Sequence, residues 1–247
     1  MTTLYHYTSL HTLCAIVDGI ENGIMYLRAG NAENMNDPND CYYFINMLAE
    51  LMSADEGLVK KMKEEKRKYD CPYLVSLTKH SDDLHMWNCY GDDGYGIAIG
   101  INSIQEIVYD FFTRTRQFSK LYRCLYLDVK GLKKNESLLN MIREVKLSDG
   151  KHKRNDELSG VSNVIKHPCY RYEKEYRIVI LHGEKEHISE KEKVYHESED
   201  AFYIGIPLKC ISKIVVGPNA DCNAIRKVFS PFFPKIKFEE SKIPYRK

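Results

Sequence analysis

The chain has 247 residues, with 36 lysines and arginines against 35 aspartates and glutamates and a formal net charge of +1 at pH 7. Hydrophobic residues make up 43% of the chain and aromatic residues 11%. This is the composition of a folded globular protein, and it excludes a wholly disordered, collagenous or coiled-coil chain. The near-neutral balance argues against a surface that is basic throughout, although it leaves room for a local basic patch.

The sequence predicts a cytoplasmic protein without a structural metal. No apolar run approaches the roughly 18 residues that a membrane-spanning helix needs, and the opening MTTLYHYTSL lacks the basic and apolar regions of a signal peptide. The 8 cysteines form no CxxC pair and no zinc-binding spacing. We therefore expect free thiols, no metal and no membrane partner.

The first third of the chain is predicted to alternate short strands with helices. We expect, in order, a strand at 3–7, a helix capped by Ser9, a strand at 24–27, helices at 41–52 and 56–68, and a buried strand at 73–77. The stretch from Asn34 to Asp40 is so dense in turn-forming residues that it cannot form regular structure. It contains Asn36 and Asp37, which we interpret as a rigid turn or as ligand contacts at a pocket mouth.

The rest of the chain continues in the same manner. A capped helical turn at 81–90 is predicted to face Leu84, Trp87 and Cys89 inward. The other predicted elements are strands at 95–101, 121–129, 176–181, 202–206, 211–216 and 235–238, and helices at 103–112 and 221–229. We predict one α+β domain over 1–247, with 130–160 as a loosely ordered insertion and no phosphate-binding glycine motif.

Three places carry polar or aromatic residues that a core does not require. The first is the strand that contains His6, Tyr7 and Thr8. His6 is either a satisfied core histidine or a ligand-binding group. The second is Ser76 and the segment from Trp87 to Tyr90, which either cap a strand or line a pocket.

The third place is the segment that runs from Lys166 to Arg177. Glu175 and Arg177 share one face of a strand by its period of two, and Glu173 falls on the same side. A carboxylate at the head of a buried strand is costly unless it is paired or used in chemistry. A structural ion pair with Arg177 therefore stays open beside a catalytic role for Glu175.

A basic run lies in the middle of the chain. Arg114, Arg116, Lys120 and Arg123 alternate with Phe118 and Tyr122. This pattern would suit a nucleic-acid acceptor through phosphate contacts and stacking, or it is a solvated face.

Five segments in this order resemble the DUF2971 family of uncharacterised bacterial proteins. They are LYHYTSL, MNDPND, SLT followed by MWNCYGDDGYGIAIG, KHPCYRYEKEYRIVI, and IVVGP. The resemblance covers about 4–220, with 130–160 matching poorly, and the family name describes no activity.

The pattern also looks like the ADP-ribosyltransferase fold, in particular its DarT-like and RNA 2'-phosphotransferase-like branches. This resemblance implies a split, bent β core surrounded by helices. It implies that His6 takes the first site position, that Tyr90 or Tyr95 takes the aromatic position, and that Glu175 takes the acidic position, with Glu173 as the alternative.

The chemistry that this likeness implies is NAD-dependent transfer of ADP-ribose to a nucleic acid or protein, or hydrolysis of NAD. The setting that it implies is a toxin or phage defence. Cleavage of the nicotinamide–ribose bond develops an oxocarbenium-like charge that Glu175 could stabilise. Binding would fall to His6, Tyr7, Thr8, Ser76, Trp87, Tyr90, Arg177, Asn36 and Asp37, with Arg177 or Arg28 on the pyrophosphate. The alternatives are an inactive nucleotide- or protein-binding module and, more weakly, a nuclease.

Overall fold

A computed structural model describes residues 2–35, 39–69, 72–147, 156–181 and 201–244. Two residues with a predicted binding role, Asn36 and Asp37, lie outside the described residues. Residues 148–155, part of the predicted loosely ordered insertion at 130–160, also lie outside them.

The chain folds into one domain that mixes helices with a β-sheet, as predicted. The strands are β1 (Leu4–Thr8), β2 (Ile24–Asn31), β3 (Tyr73–Thr78), β4 (Ile97–Ile101), β5 (Phe118–Arg123), β6 (Leu125–Tyr126), β7 (Ile165–Lys166), β8 (Glu175–Leu181), β9 (Ala201–Pro207), β10 (Ile211–Val216) and β11 (Lys237–Glu240). The helices are α1 (Leu10–Asp18), α2 (Tyr43–Met52), α3 (Glu56–Tyr69), α4 (Leu84–Tyr90), α5 (Ile104–Thr115), α6 (Val129–Lys134), α7 (Glu136–Leu147), α8 (Asp156–Ser162) and α9 (Cys222–Phe229).

Nine strands form a mixed sheet that forks at β3. One path runs β11-β10-β4-β1-β3-β2-β9, and β8 and β5 join it through β3. Strand β3 pairs with β8 along its whole length. Its other edge is shared, because β2 pairs with Tyr73 and Leu74 while Tyr5 of β1 pairs with Thr78. Strands β1 and β2 therefore leave β3 at opposite ends.

The two faces of this sheet are covered differently. The first face packs against α1, α5 and α9 in the largest apolar core, which includes Leu13, Phe111 and Ile225. The second face carries two smaller clusters, one around Trp87 of α4 and one around Val179 of β8. Polar residues of β3 and β8 lie on this second face. No helix in the described ranges is long and apolar enough to cross a membrane.

Several local predictions were wrong. Leu84 and Cys89 are exposed, because α4 buries Met86 and Trp87 instead. The predicted strand at 121–129 ends at Tyr126, since Asp128 caps α6 by accepting a hydrogen bond from the Gly131 amide. The closing strand begins at Lys237 rather than 235. Within 130–160, the described residues form the rest of α6 together with α7 and α8, and the prediction of a loosely ordered insertion there stays a prediction.

Gly96, directly before β4, lies very close to neighbouring backbone atoms. A Cβ at this position would lie 2.2 Å from the Thr8 carbonyl oxygen and 2.8 Å from that of Gly91. We expect Gly96→Ala to lower the free energy of unfolding by roughly 1–3 kcal/mol, because backbone atoms must move apart. Urea denaturation measures the change. Gly30→Ala is the matched control, since its Cβ would meet nothing within 4 Å. Equal effects of the two substitutions would contradict this account.

Candidate functional site

Five charged side chains meet on the second face of the sheet, and all of them are buried. We call them the charged cluster; its members are Asp40, Lys166, Glu173, Glu175 and Arg177. Burial of so many charges is tolerated only when each is paired and hydrogen-bonded.

Local structure explains how each side chain reaches the cluster. Strand alternation puts Glu175 and Arg177 on one face of β8, as predicted, opposite Thr78 and Ser76 of β3. Glu173 ends a 3-10 helix, Pro168–Glu173, that leads directly into β8. The Thr78 hydroxyl fixes that helix end by donating to the Glu173 carbonyl oxygen at 2.6 Å.

Arg177 is the most completely bonded member. Its Nε donates to Glu175 Oε1 at 2.8 Å, and Nη2 donates to Glu175 Oε2 at 3.1 Å and also to Asp40 Oδ2. Its Nη1 donates to the carbonyl oxygen of Asn163 at 2.9 Å. Since all three guanidinium nitrogens are used, the predicted pyrophosphate contact of Arg177 finds little donor capacity there.

Lys166 bridges the two glutamates. Its Nζ lies 2.7 Å from Glu173 Oε2, 2.9 Å from Glu175 Oε2 and 4.0 Å from Asp40 Oδ2. The remaining oxygen of Glu173 accepts a hydrogen bond from the Tyr90 hydroxyl at 2.8 Å. Tyr90 is 36% exposed, so it connects the charged cluster with the protein surface.

The charged cluster contains three acidic and two basic side chains, a formal excess of one negative charge. Burial raises the pKa of Glu175, but the positive charges of Arg177 and Lys166 outweigh it and hold the pKa at about 2. Burial lowers the pKa of Lys166, and Glu175 and its neighbours more than reverse this, so the ammonium stays charged. Three carboxylates therefore face two cations in a setting of low dielectric.

Two buried hydroxyls lie nearby on the same sheet face. Ser76 Oγ and Tyr7 Oη make no hydrogen bond of normal geometry within the described part of the chain. The Ser76 hydroxyl is nevertheless close enough to Glu175 to contribute to lowering the pKa of that carboxyl. Of these two, Ser76 lies beside the charged cluster, whereas the Tyr7 ring packs in the Trp87 cluster.

The structure does not join His6 to Glu175 in one site. Because Tyr5 pairs with Thr78, strand alternation puts His6 on the face opposite Glu175. His6 Nδ1 lies 3.1 Å from the Ser76 carbonyl oxygen, which only accepts, so Nδ1 carries the proton. Burial lowers the pKa of His6, against the smaller raising effect of this bond. His6 thus lines the fork of the sheet and touches the charged cluster only through Ser76.

Two further residues with predicted binding roles belong to cores. Trp87 has no exposed surface. Its Nε1 donates a hydrogen bond to Asp82 Oδ1 at 2.7 Å, and its ring packs edge-on against the Tyr7 ring, with 4.7 Å between the ring centroids. A ring so enclosed has no face to offer to nicotinamide, which leaves Tyr90 and Tyr95 as the exposed aromatic candidates. Thr8 is buried on the His6 face of β1.

The structure also bears on the interpretation of the basic run as a nucleic-acid surface. Phe118 and Tyr122 pack against the second-face cluster around Val179, so they are not free to stack on bases. Arg114 pairs with Asp110 at 2.8 Å. The run therefore lacks the interleaved aromatic platform that the sequence predicted.

Sequence reasoning missed two members of the charged cluster, Asp40 and Lys166. The charge count could have found Lys166, because two glutamates and one arginine on a buried face need another cation, and Lys166 is the first residue of the predicted segment. No such signal points to Asp40, which lies 137 positions from Arg177. Among the described residues, no group of three or more His, Cys, Asp or Glu is arranged to hold a metal ion.

Comparison with protein families adds one finding. Residues 86–178 match the family model of DUF2971, a protein of unknown function. The predicted resemblance to this family is confirmed over that region, which contains Tyr90, Lys166, Glu173, Glu175 and Arg177. Neither the curated proteins nor the solved structures yielded a match to the chain.

The low pKa of Glu175 predicts how acid affects stability. Its folded-state pKa of about 2 lies below the ordinary 4.5, so its stabilising contribution is complete above pH 4.5 and is lost as the pH falls towards 2. We expect Glu175→Gln to lower the free energy of unfolding most at neutral pH and progressively less below pH 4.5. Urea titrations from pH 2.5 to 7 measure the difference.

The exposed Glu65 supplies the control, because Glu65→Gln is expected to change the unfolding free energy little at any of these pH values. A Glu175→Gln effect that stays constant across this pH range would contradict the assignment of an ionised, buried carboxylate.

Proposed function

We propose that the protein cleaves the nicotinamide–ribose bond of NAD and transfers ADP-ribose to a macromolecule, with NAD hydrolysis at the same site as a close variant. The observation that carries this proposal is the pair of buried glutamates, Glu173 and Glu175, at the head of β8. They lie across β3 from the fork of the sheet and belong to a cluster with a formal excess of one negative charge.

The charge of the cluster suits the chemistry. Loss of nicotinamide leaves positive charge on the ribose, and a preorganised carboxylate in a low-dielectric site stabilises that charge as it develops. The carboxylates need no reorganisation, because Lys166 and Arg177 already hold them in place. A glutamate oxygen can also accept a hydrogen bond from a ribose hydroxyl and so orient the sugar.

Two exposed side chains complete the proposed substrate contacts. Tyr90, at the surface end of the charged cluster, can stack on the nicotinamide ring. Arg28 replaces Arg177 as the pyrophosphate contact, because it is exposed on β2 and shares the sheet face of Leu74 and Ser76 by its register. An arginine can bind a phosphate through two parallel hydrogen bonds. The fork and the strand-borne glutamate are also what a likeness to the ADP-ribosyltransferase fold implies.

A non-catalytic binding module is the second candidate, and one observation favours it. Arg177 donates from all three nitrogens and Glu175 accepts on both oxygens within the protein itself. Such a closed network can serve stability alone, with the surface around Tyr90 binding a nucleotide or a protein.

The two candidates differ in turnover. We expect wild-type protein, incubated with labelled NAD, to release nicotinamide and to leave label on protein or nucleic acid added as lysate. At least one of Glu173→Gln and Glu175→Gln should lose this turnover by about 100-fold or more while remaining folded, since a contact to the transition state is removed. Nicotinamide release and circular dichroism measure the two properties.

Glu65→Gln serves again as the control and should leave turnover unchanged, because Glu65 is exposed on α3. The absence of nicotinamide release in wild-type protein under all conditions would reject the enzyme and leave the binding module.

A further inference from the structure

The two glutamates of the charged cluster differ in how much of their bonding capacity is used. Glu175 Oε1 accepts from Arg177 Nε, and Oε2 accepts from Arg177 Nη2 and Lys166 Nζ, with the Cys124 thiol at 3.6 Å. A substrate hydroxyl that reached either oxygen of Glu175 would compete there with a charged donor. Displacement of that donor would leave a buried cation without its partner, which is strongly unfavourable.

Glu173 has one oxygen that is held by a neutral donor. Its Oε2 is fixed by Lys166 at 2.7 Å, whereas Oε1 accepts from the Tyr90 hydroxyl at 2.8 Å. A ribose hydroxyl could replace the phenol hydroxyl on Oε1, so that one neutral hydrogen bond is exchanged for another. No charged group loses its partner in this exchange.

Both glutamates are buried, with 3% of Glu173 and 6% of Glu175 exposed, but Glu173 is hydrogen-bonded to a side chain that reaches the surface. Tyr90 is 36% exposed and the adjoining Tyr172 is 81% exposed. The exposed Cys89 has a raised pKa, mainly through partial burial and in addition through the negative charge of Glu173. One chain of contacts from the surface to a cluster carboxylate therefore runs through Tyr90.

We propose that Glu173, rather than Glu175, is the carboxylate that contacts the ribose hydroxyls of NAD, and that the Tyr90 side chain covers it until substrate binds. This inference rests on the proposed function. Glu175 is then a positioning residue: it holds Lys166, which in turn holds Glu173. Because the Lys166 ammonium bonds to both carboxylates, loss of Glu175 would weaken the positioning of Glu173 while its carboxylate stays in the site.

Chemical labelling tests whether the Tyr90 side chain covers Glu173, and it does not depend on enzymatic turnover. A water-soluble carbodiimide with an excess of amine couples accessible carboxylates, and mass spectrometry identifies the modified residue. We expect Tyr90→Ala to speed the modification of Glu173 by at least ten-fold while Glu175 stays protected. Tyr172→Ala is the matched control, because this exposed tyrosine has no side-chain bond to the charged cluster; it should leave both rates unchanged.

Steady-state kinetics of nicotinamide release test the contact itself. We expect Glu173→Gln to lower kcat by at least 100-fold, and Glu175→Gln to lower kcat by less than ten-fold with KM for NAD unchanged. Tyr90→Phe should lower KM several-fold, since it removes the hydroxyl that competes with substrate for Glu173 Oε1. If Tyr90 had only a structural role, Tyr90→Phe would not lower KM for NAD.

The outcomes separate the two levels of the argument. If Tyr90→Ala does not speed the modification of Glu173, the proposal that Tyr90 covers Glu173 is wrong. Release that survives Glu173→Gln but is abolished by Glu175→Gln in folded protein overturns the assignment of the contacting carboxylate. Wild-type protein that releases no nicotinamide overturns the proposed function, and with it the ribose contact, whatever the labelling shows.

Discussion

The guanidinium of Arg177 is the constraint on which the rest of the second sheet face depends. It is buried on a central strand, so its charge and its donors must all be satisfied inside the protein. Glu175 meets it from the same strand, Asp40 from the N-terminal part of the chain, and the Asn163 carbonyl oxygen from the turn after α8. These carboxylates in turn require Lys166 from β7. One buried cation thereby draws together β8, the segment that contains Asp40, and the stretch from the turn after α8 into β7.

The same constraint shapes any chemistry that the site performs. The cluster joins three acidic and two basic side chains by hydrogen bonds, and Tyr90 links Glu173 to the surface. A site that stabilises a developing positive charge needs this kind of preorganisation. In the proposed reaction, the charged donors on Glu175 give it the supporting role, and the neutral Tyr90 donor on Glu173 leaves that carboxylate for the substrate.

Sequence patterns predicted the parts of this arrangement that are local. The period of two placed Glu175 and Arg177 on one face, and most strands were located to within a few residues. Patterns could not place His6, because its face depends on the pairing of Tyr5 with Thr78, a register between distant segments. Trp87 was expected at a ligand, but the Asp82 carboxylate and the Tyr7 ring enclose it. Asp40 was hidden in a turn-rich segment whose partner lies 137 positions away.

A double-mutant cycle between Lys166 and Glu173 tests most directly whether the charged cluster is one interacting network. Urea denaturation of wild-type protein, Lys166→Met, Glu173→Gln and the double variant gives the four free energies of unfolding. The account predicts a coupling energy of about 1–3 kcal/mol, because each single substitution leaves a buried charge without its partner. Effects that add to within about 0.3 kcal/mol would contradict it, since the two charges would then contribute independently.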